Sequence, residues 1–388
     1  MVFRIFAAFL FVCLQGGVAG AAITWSTKTG WGPKDIIFPS TVIALATTKM
    51  KISPFFVTMS DVPAGTHVKI LVKCPHLFAA STKAFTTQKY NSQLAANIQV
   101  NWRFSRLDHV TQEVPVDVVY TVYANGIKLG TQTDTATVHS INACPTFIVE
   151  NTHGKTVPVD MRFLFSAYVN ENAPILDSIL KKALKTRMVN QFDGYHSDSV
   201  GVVRQVCAIW LSLEGQGIKY SDIAKPPQSL TGIYYQHVRF VDQSFAAAQA
   251  NCVDGSVLFA SLLEHIGIDC GLVIKPGHMF LKFYTAPNHK YPVCLETTML
   301  GSHAAINPRL VNPVKSAFHW WELRAHPFEA AAQYGDFEYN QLVAAEKKLP
   351  AKMTQPGLQS AKIIDIATVR KMGIDPIPDP YFKGHDRN

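Results

Sequence analysis

The chain has 388 residues, 48% of them apolar and 16% charged, enough for two domains with their own cores and too apolar for a disordered chain. Its formal charge of +8 comes without any long Lys/Arg run or nucleic-acid motif, so nucleic-acid binding is excluded as a function class. That charge suits solubility, or weak contact with an anionic envelope or glycan surface.

The N-terminus reads as an export signal over residues 1–21. Arg4 is the positive n-region, Ile5 to Leu14 is an apolar stretch too short to span a bilayer, and Ala19-Gly20-Ala21 is a small-x-small cleavage site. Cleavage near Ala21–Ala22 removes Arg4 and leaves +7. No later stretch is long and apolar enough for a transmembrane helix, so the expected location is secreted or periplasmic. Six cysteines then remain: Cys74, Cys144, Cys207, Cys252, Cys270 and Cys294. Export permits disulfides, and Cys74–Cys144 and Cys270–Cys294 are candidate pairs. No CxxC pair exists, and His265, His289, His303, His319 and His326 lack metal-ligand spacing. Neither a metal nor another cofactor is expected.

Residues 22–160 read as an all-β accessory domain, a sandwich of immunoglobulin-like character. Val68 to Lys73 and Asn97 to Phe104 alternate apolar and polar residues, the period of a half-buried strand. Asn125-Gly126 between β-rich flanks, over Val116 to Leu129, marks a tight hairpin.

The pattern turns helical in 161–340. Leu176, Ile179, Leu180, Ala183 and Leu184 share one helix face, and Val203, Val206, Cys207, Trp210 and Leu211 share another. From 225 to 250 the chain is looser. Then Val253 to Ile266 forms a helix ended by Gly267, followed by a three-strand meander. Its strands are Gly271 to Lys275, His278 to Tyr284 after the Pro276-Gly277 turn, and Tyr291 to Thr298. Residues 341–388 are expected to be peripheral, and Phe318-His319-Trp320-Trp321 is chiefly a packing cluster.

The chemistry concentrates in 251–298. Cys252 sits at a helix N-terminus, where free N–H groups and the dipole favour thiolate and can hold an oxyanion. His278 opens a strand, and Glu296 lies on the next one, where a carboxylate can fix the imidazole tautomer. A thiol, a base and an orienting carboxylate make a triad.

The blocks NCVDGSVLFASLLEHIGI, PGHMFLKFY and CLETT resemble the transglutaminase-like superfamily of papain-type thiol enzymes, over roughly residues 235–300. The helices from 172 to 220 are similar to the helical lobe of secreted bacterial members. The resemblance implies an α+β fold: an N-terminal β-sandwich, then a papain-like core of helices packed on an antiparallel sheet. It also implies Cys252 as nucleophile, His278 as base and Glu296 as the acidic member, a place the family more often gives to Asp. Gln243, Gln249 and Asn251 are the candidates for a side-chain oxyanion donor. The expected function is cysteine-dependent acyl transfer on peptide or glutamine amide bonds. Its partner is a protein or peptide substrate, and its product follows from water (peptidase or amidase) or an amine (transglutaminase). The alternative is a non-catalytic peptide- or envelope-binding protein on the same fold.

Overall fold

The computed structural model describes residues 22–32, 35–48, 53–152, 155–221, 228–230, 232–302, 326–346 and 361–378. The expected export signal, Phe318 to Trp321, His303 and half of residues 341–388 lie outside these residues. Among the described residues no helix is long and apolar enough to cross a membrane.

The fold is mixed α and β. In chain order the first strands are β1 (Thr24–Thr29), β2 (Ile36–Ile37), β3 (Phe55–Val62), β4 (His67–Cys74), β5 (Phe78–Thr86), β6 (Asn91–Asn97), β7 (Asn101–Trp102), β8 (Val114–Ala124) and β9 (Ile127–Val138). Two short helices interrupt them, α1 (Pro39–Ala44) and α2 (Phe104–Leu107). The strands form a three-stranded sheet, β1-β3-β6, and a six-stranded sheet, β2-β9-β8-β4-β5-β7. Alternation explains the burial: Val68, Ile70 and Val72 of β4 are fully buried between exposed or half-buried neighbours. The Asn125-Gly126 turn joins β8 to β9, with φ of 48° and 81°, the left-handed pair that a tight hairpin demands. The strand expected over 97–104 divides instead. β6 ends at Asn97 on one sheet, while Asn101 and Trp102 pair with β5 of the other and Phe104 starts α2. The apolar alternation continues across a change of partner, which periodicity alone does not reveal.

The second half contributes β10 (Ala143–Thr152), β11 (Lys155–Asp160), α3 (Ile175–Leu184), α4 (Ser199–Gly215), β12 (Lys219–Tyr220), β13 (Gln228–Leu230) and β14 (Ile233–His237). Then follow α5 (Val241–Ala247), β15 (Gln249–Ala250), α6 (Cys252–His265), β16 (Cys270–Lys275), β17 (His278–Ala286), β18 (Lys290–Leu295), α7 (His326–Glu346), β19 (Lys362–Asp365) and α8 (Ile366–Lys371). β10 pairs with β11 on one edge and with β14 on the other, so a sheet crosses the expected boundary at residue 160. Leu184, expected on the buried face of α3, is its last residue and is exposed.

The sheet that matters for the site has the order β18-β17-β16-β19 and is antiparallel throughout. Both faces are covered, so β17 is buried almost end to end. Leu272, Leu281 and Leu295 join the main core with α6, while Val273, Phe280 and Cys294 pack against Tyr339 and Leu342 of α7. Trp210 of α4 lies 5.6 Å from the Phe259 ring on α6 and 6.0 Å from Phe328 on α7, tying the three helices together. The C-terminal segment is not wholly peripheral. β19 completes this sheet against β16, and the Ile377 amide donates 2.7 Å to the Ala167 carbonyl.

All six described cysteines are thiols, so the pairs Cys74–Cys144 and Cys270–Cys294 are not bridged. For the second pair the topology forbids it. β17 lies between β16 and β18, which puts the two strands about 10 Å apart, beyond disulfide reach.

Candidate active site

Cys252 is the first residue of α6, where the helix leaves its first amides unpaired. Asn251 caps that end, its Oδ1 accepting from Val253 N at 2.9 Å and Asp254 N at 2.8 Å. The cap leaves the Cys252 amide uncommitted, so this is the first-turn donor open to an oxyanion. Asp254 is buried and faces Arg239, accepting from its amide at 2.8 Å and from Nη1 at 3.3 Å. Its charge is thereby paired with the Arg239 guanidinium.

The start of α6 is docked on the turn that carries the carboxylate. Ser256 Oγ donates to the Cys252 carbonyl at 2.7 Å and lies 3.3 Å from Thr297 Oγ1. Gly255 makes the approach close: a Cβ there would sit 3.1 Å from the same hydroxyl oxygen. Glu296 itself stands one residue past β18, which ends at Leu295, rather than on the strand expected to run to Thr298. It opens a 3-10 turn over Thr297–Met299, and its own side chain caps that turn. The strand stops there because Glu296 Oε1 is drawn back to Thr298, accepting from N at 3.0 Å and Oγ1 at 2.6 Å.

His278 opens β17, opposite Lys275 across the Pro276-Gly277 turn, where Gly277 takes φ of 74°. Its Nε2 is 2.6 Å from Glu296 Oε2. With that nitrogen engaged, Nδ1 is the ring atom left to face Cys252, which lies near enough to act on the imidazole. Burial works against the imidazolium, but the bonds to Cys252 and Glu296 overcome it and raise His278 to about 10. Burial likewise works against the Glu296 carboxylate, and His278 and Thr298 together hold it below its usual range. The arrangement favours an imidazolium beside the thiol at neutral pH, the partner a thiolate requires.

A groove of about 430 Å³ opens on this centre, lined by Lys275, His278, Glu296, Thr298, Met299, Tyr334 and Glu338. Cys252 is not part of its wall. Glu338 Oε2 lies 2.8 Å from Lys275 Nζ and 3.7 Å from His278 Nε2. One atom each of His278, Glu296 and Glu338 lie within 4.8 Å of one another, a donor set able to hold a metal ion, although the spacing of the other histidines had suggested no metal site.

The three oxyanion candidates fare differently. Asn251 adjoins Cys252, with its oxygen spent on the cap. Gln243 caps α5, its Oε1 accepting from Phe240 N at 2.9 Å and Asn142 Nδ2 at 2.7 Å. Gln249 offers Arg239 its backbone carbonyl at 3.4 Å. Sequence reasoning missed Lys275, Thr298, Tyr334 and Glu338. Thr298 was visible in the Glu-Thr-Thr run, and only the turn geometry gives it a role. Tyr334 and Glu338 lie on a helix far along the chain, and no local signal points to them.

No protein-family model and no curated protein matches the chain.

Proposed function

We propose that this chain is a secreted, cysteine-dependent acyl-transfer enzyme of transglutaminase-like type, acting on peptide or glutamine amide bonds. One observation carries this reading: Cys252 starts a helix beside His278, whose Nε2 lies 2.6 Å from Glu296 Oε2. In this proposal the all-β first part is an accessory domain and the sheet β18-β17-β16-β19 with its helices is the catalytic core. The Cys252 thiolate attacks the amide carbonyl, and the developing oxyanion meets the Cys252 amide and the α6 dipole. His278 gives its Nδ1 proton to the departing amine, leaving a thioester on Cys252. The neutral imidazole, oriented by Glu296 and Thr298, then takes a proton from water or an amine as it attacks the thioester. Hydrolysis is the favoured outcome, since transfer to an amine needs a shielded acceptor site that the sequence does not reveal.

The test is carbamidomethylation of Cys252 by iodoacetamide across pH. The proposal expects Cys252 to be labelled faster than a free thiol near pH 7. Labelling no faster than a free thiol near pH 7 refutes it. A second reading, a peptide-binding protein without turnover, is favoured by a groove whose wall omits Cys252. Cys252→Ala decides between them, since a binding protein keeps its biological function in that variant and an enzyme loses it.

A further inference from the structure

His278, Glu296 and Glu338 reach the groove from three separate elements: the start of β17, the turn after β18, and α7. His278 Nε2 stands 2.6 Å from Glu296 Oε2 and 3.7 Å from Glu338 Oε2. An ion bound about 2.0–2.2 Å from each of three such atoms in tetrahedral geometry wants them roughly 3.2–3.6 Å apart. The His278–Glu296 separation has to open by about half an ångström or more, the His278–Glu338 one needs little change, and the two carboxylates start within 4.8 Å of each other, adjustments that side-chain rotation can supply. Glu296 is already oriented from behind by Thr298, the kind of outer contact that steadies a ligating carboxylate. Glu338 already holds a cation, the Lys275 ammonium at 2.8 Å. The groove gives solvent a route to all three.

We infer that these three side chains form a divalent-cation site, suited to Zn2+, laid over the thiol centre so that the ion switches the centre off. An imidazole nitrogen with two carboxylate oxygens is a zinc donor set with open positions for water. Binding exchanges cations at Glu338: the ion takes the carboxylate, and the Lys275 ammonium swings to solvent with its proton. The ion also takes the Nε2 lone pair, so the proton on Nε2 leaves to solvent. The imidazole then keeps a single proton, on Nδ1, and has no lone pair to accept another from Cys252 or from an attacking water. The switching effect rests on the proposed thiol chemistry, whereas the binding does not.

Calorimetric titration with zinc chloride tests the site in the full chain carrying Cys252→Ala, which removes any thiol ligation. One ion per chain is expected, with affinity at least tenfold weaker when Glu338→Gln is added. No binding, or an affinity indifferent to Glu338→Gln, overturns the site. Lys275→Met supplies a change of opposite sign that misfolding cannot imitate: at least threefold tighter binding is expected, and unchanged or weaker binding overturns the exchange at Glu338. In the wild-type chain a pH-stat assay of peptide hydrolysis should lose activity with zinc and regain it with EDTA, and full activity with the site occupied overturns the switch. The two proposals fail apart. An unactivated thiol with intact zinc binding removes the enzyme and leaves the site, while an activated thiol with no zinc binding removes the site alone.

Discussion

Replacing Glu296 with Gln removes one negative charge from the centre and keeps its shape. Glu296 is 5% exposed and its Oε2 lies 2.6 Å from His278 Nε2, so water screens the contact weakly. A hydrogen bond to a charged partner contributes about 1.5–3 kcal/mol, and about 1.4 kcal/mol corresponds to one pKa unit. Glu296→Gln should therefore bring His278 down by about 1–2 units from about 10. The assay is a proton–carbon NMR titration of the His278 ring, assigned by its loss in His278→Gln. A wild-type midpoint in the ordinary histidine range refutes the reasoning, and so does a midpoint that Glu296→Gln leaves in place. Stability should follow the same sign. A raised folded-state pKa gives stabilisation that is whole below pH 6.5 and fades as pH rises through about 10. The depressed Glu296 carboxyl contributes above its ordinary 4.5 and loses that contribution as pH falls through its lower folded value. Urea denaturation of the two proteins should accordingly differ most near neutrality and converge at both extremes.

Three further outcomes are expected. Thr298→Val deletes the 2.6 Å hydroxyl bond to Glu296 Oε1 and keeps the amide bond; it should let the Glu296 carboxyl rise toward its ordinary 4.5, read by a carboxyl-carbon NMR titration, and a Glu296 midpoint left in place refutes the role of the hydroxyl. Asp254→Ala strands the Arg239 guanidinium and removes the acceptor of the Asn251 cap amide, 3.5 Å away. It should destabilise by about 3 kcal/mol, the low end for breaking a buried pair because Arg239 is partly exposed, measured by urea denaturation. Gly335→Ala would put a Cβ 2.6 Å from the Cys294 carbonyl carbon, a backbone contact that no rotamer relieves. A cost of about 1–3 kcal/mol is expected, with faster hydrogen exchange at the Cys294 amide, which donates to Asp336 Oδ1 at 2.8 Å.

What was legible in the sequence is what is local. The α6 start has its cap in Asn251, its end in a glycine at φ 75°, and the hairpin behind it turns on Pro276-Gly277. Cys252, His278 and Glu296 therefore fall on neighbouring elements in an order that can be read directly. The parts that stayed hidden depend on distant pairing. β10 finds β14 some ninety residues on, and its alternating pattern is equally consistent with a sheet confined to the first part. β19 is four residues long, too short for a period to register. α7 is polar enough that its site-facing residues, Tyr334 and Glu338, look like solvated helix positions until the sheet beneath them is known. The end of β18 was missed for a subtler reason. Leu-Glu-Thr-Thr suits a strand by propensity, and a carboxylate hydrogen-bonded two residues ahead overrides that preference.

The lateness of β19 has a consequence for how the chain is made. β16 is synthesised about ninety residues before the strand that covers its outer edge. At a synthesis rate of about 5–20 residues per second, that edge waits several seconds or more for its partner. During that interval its open amides and carbonyls can pair with another strand. The thiol-bearing helix packs on the same sheet, so the nascent chain passes through a sticky and half-built stage. A chain released before residue 365 should therefore aggregate by its β16 edge, even with Cys252, His278 and Glu296 all present.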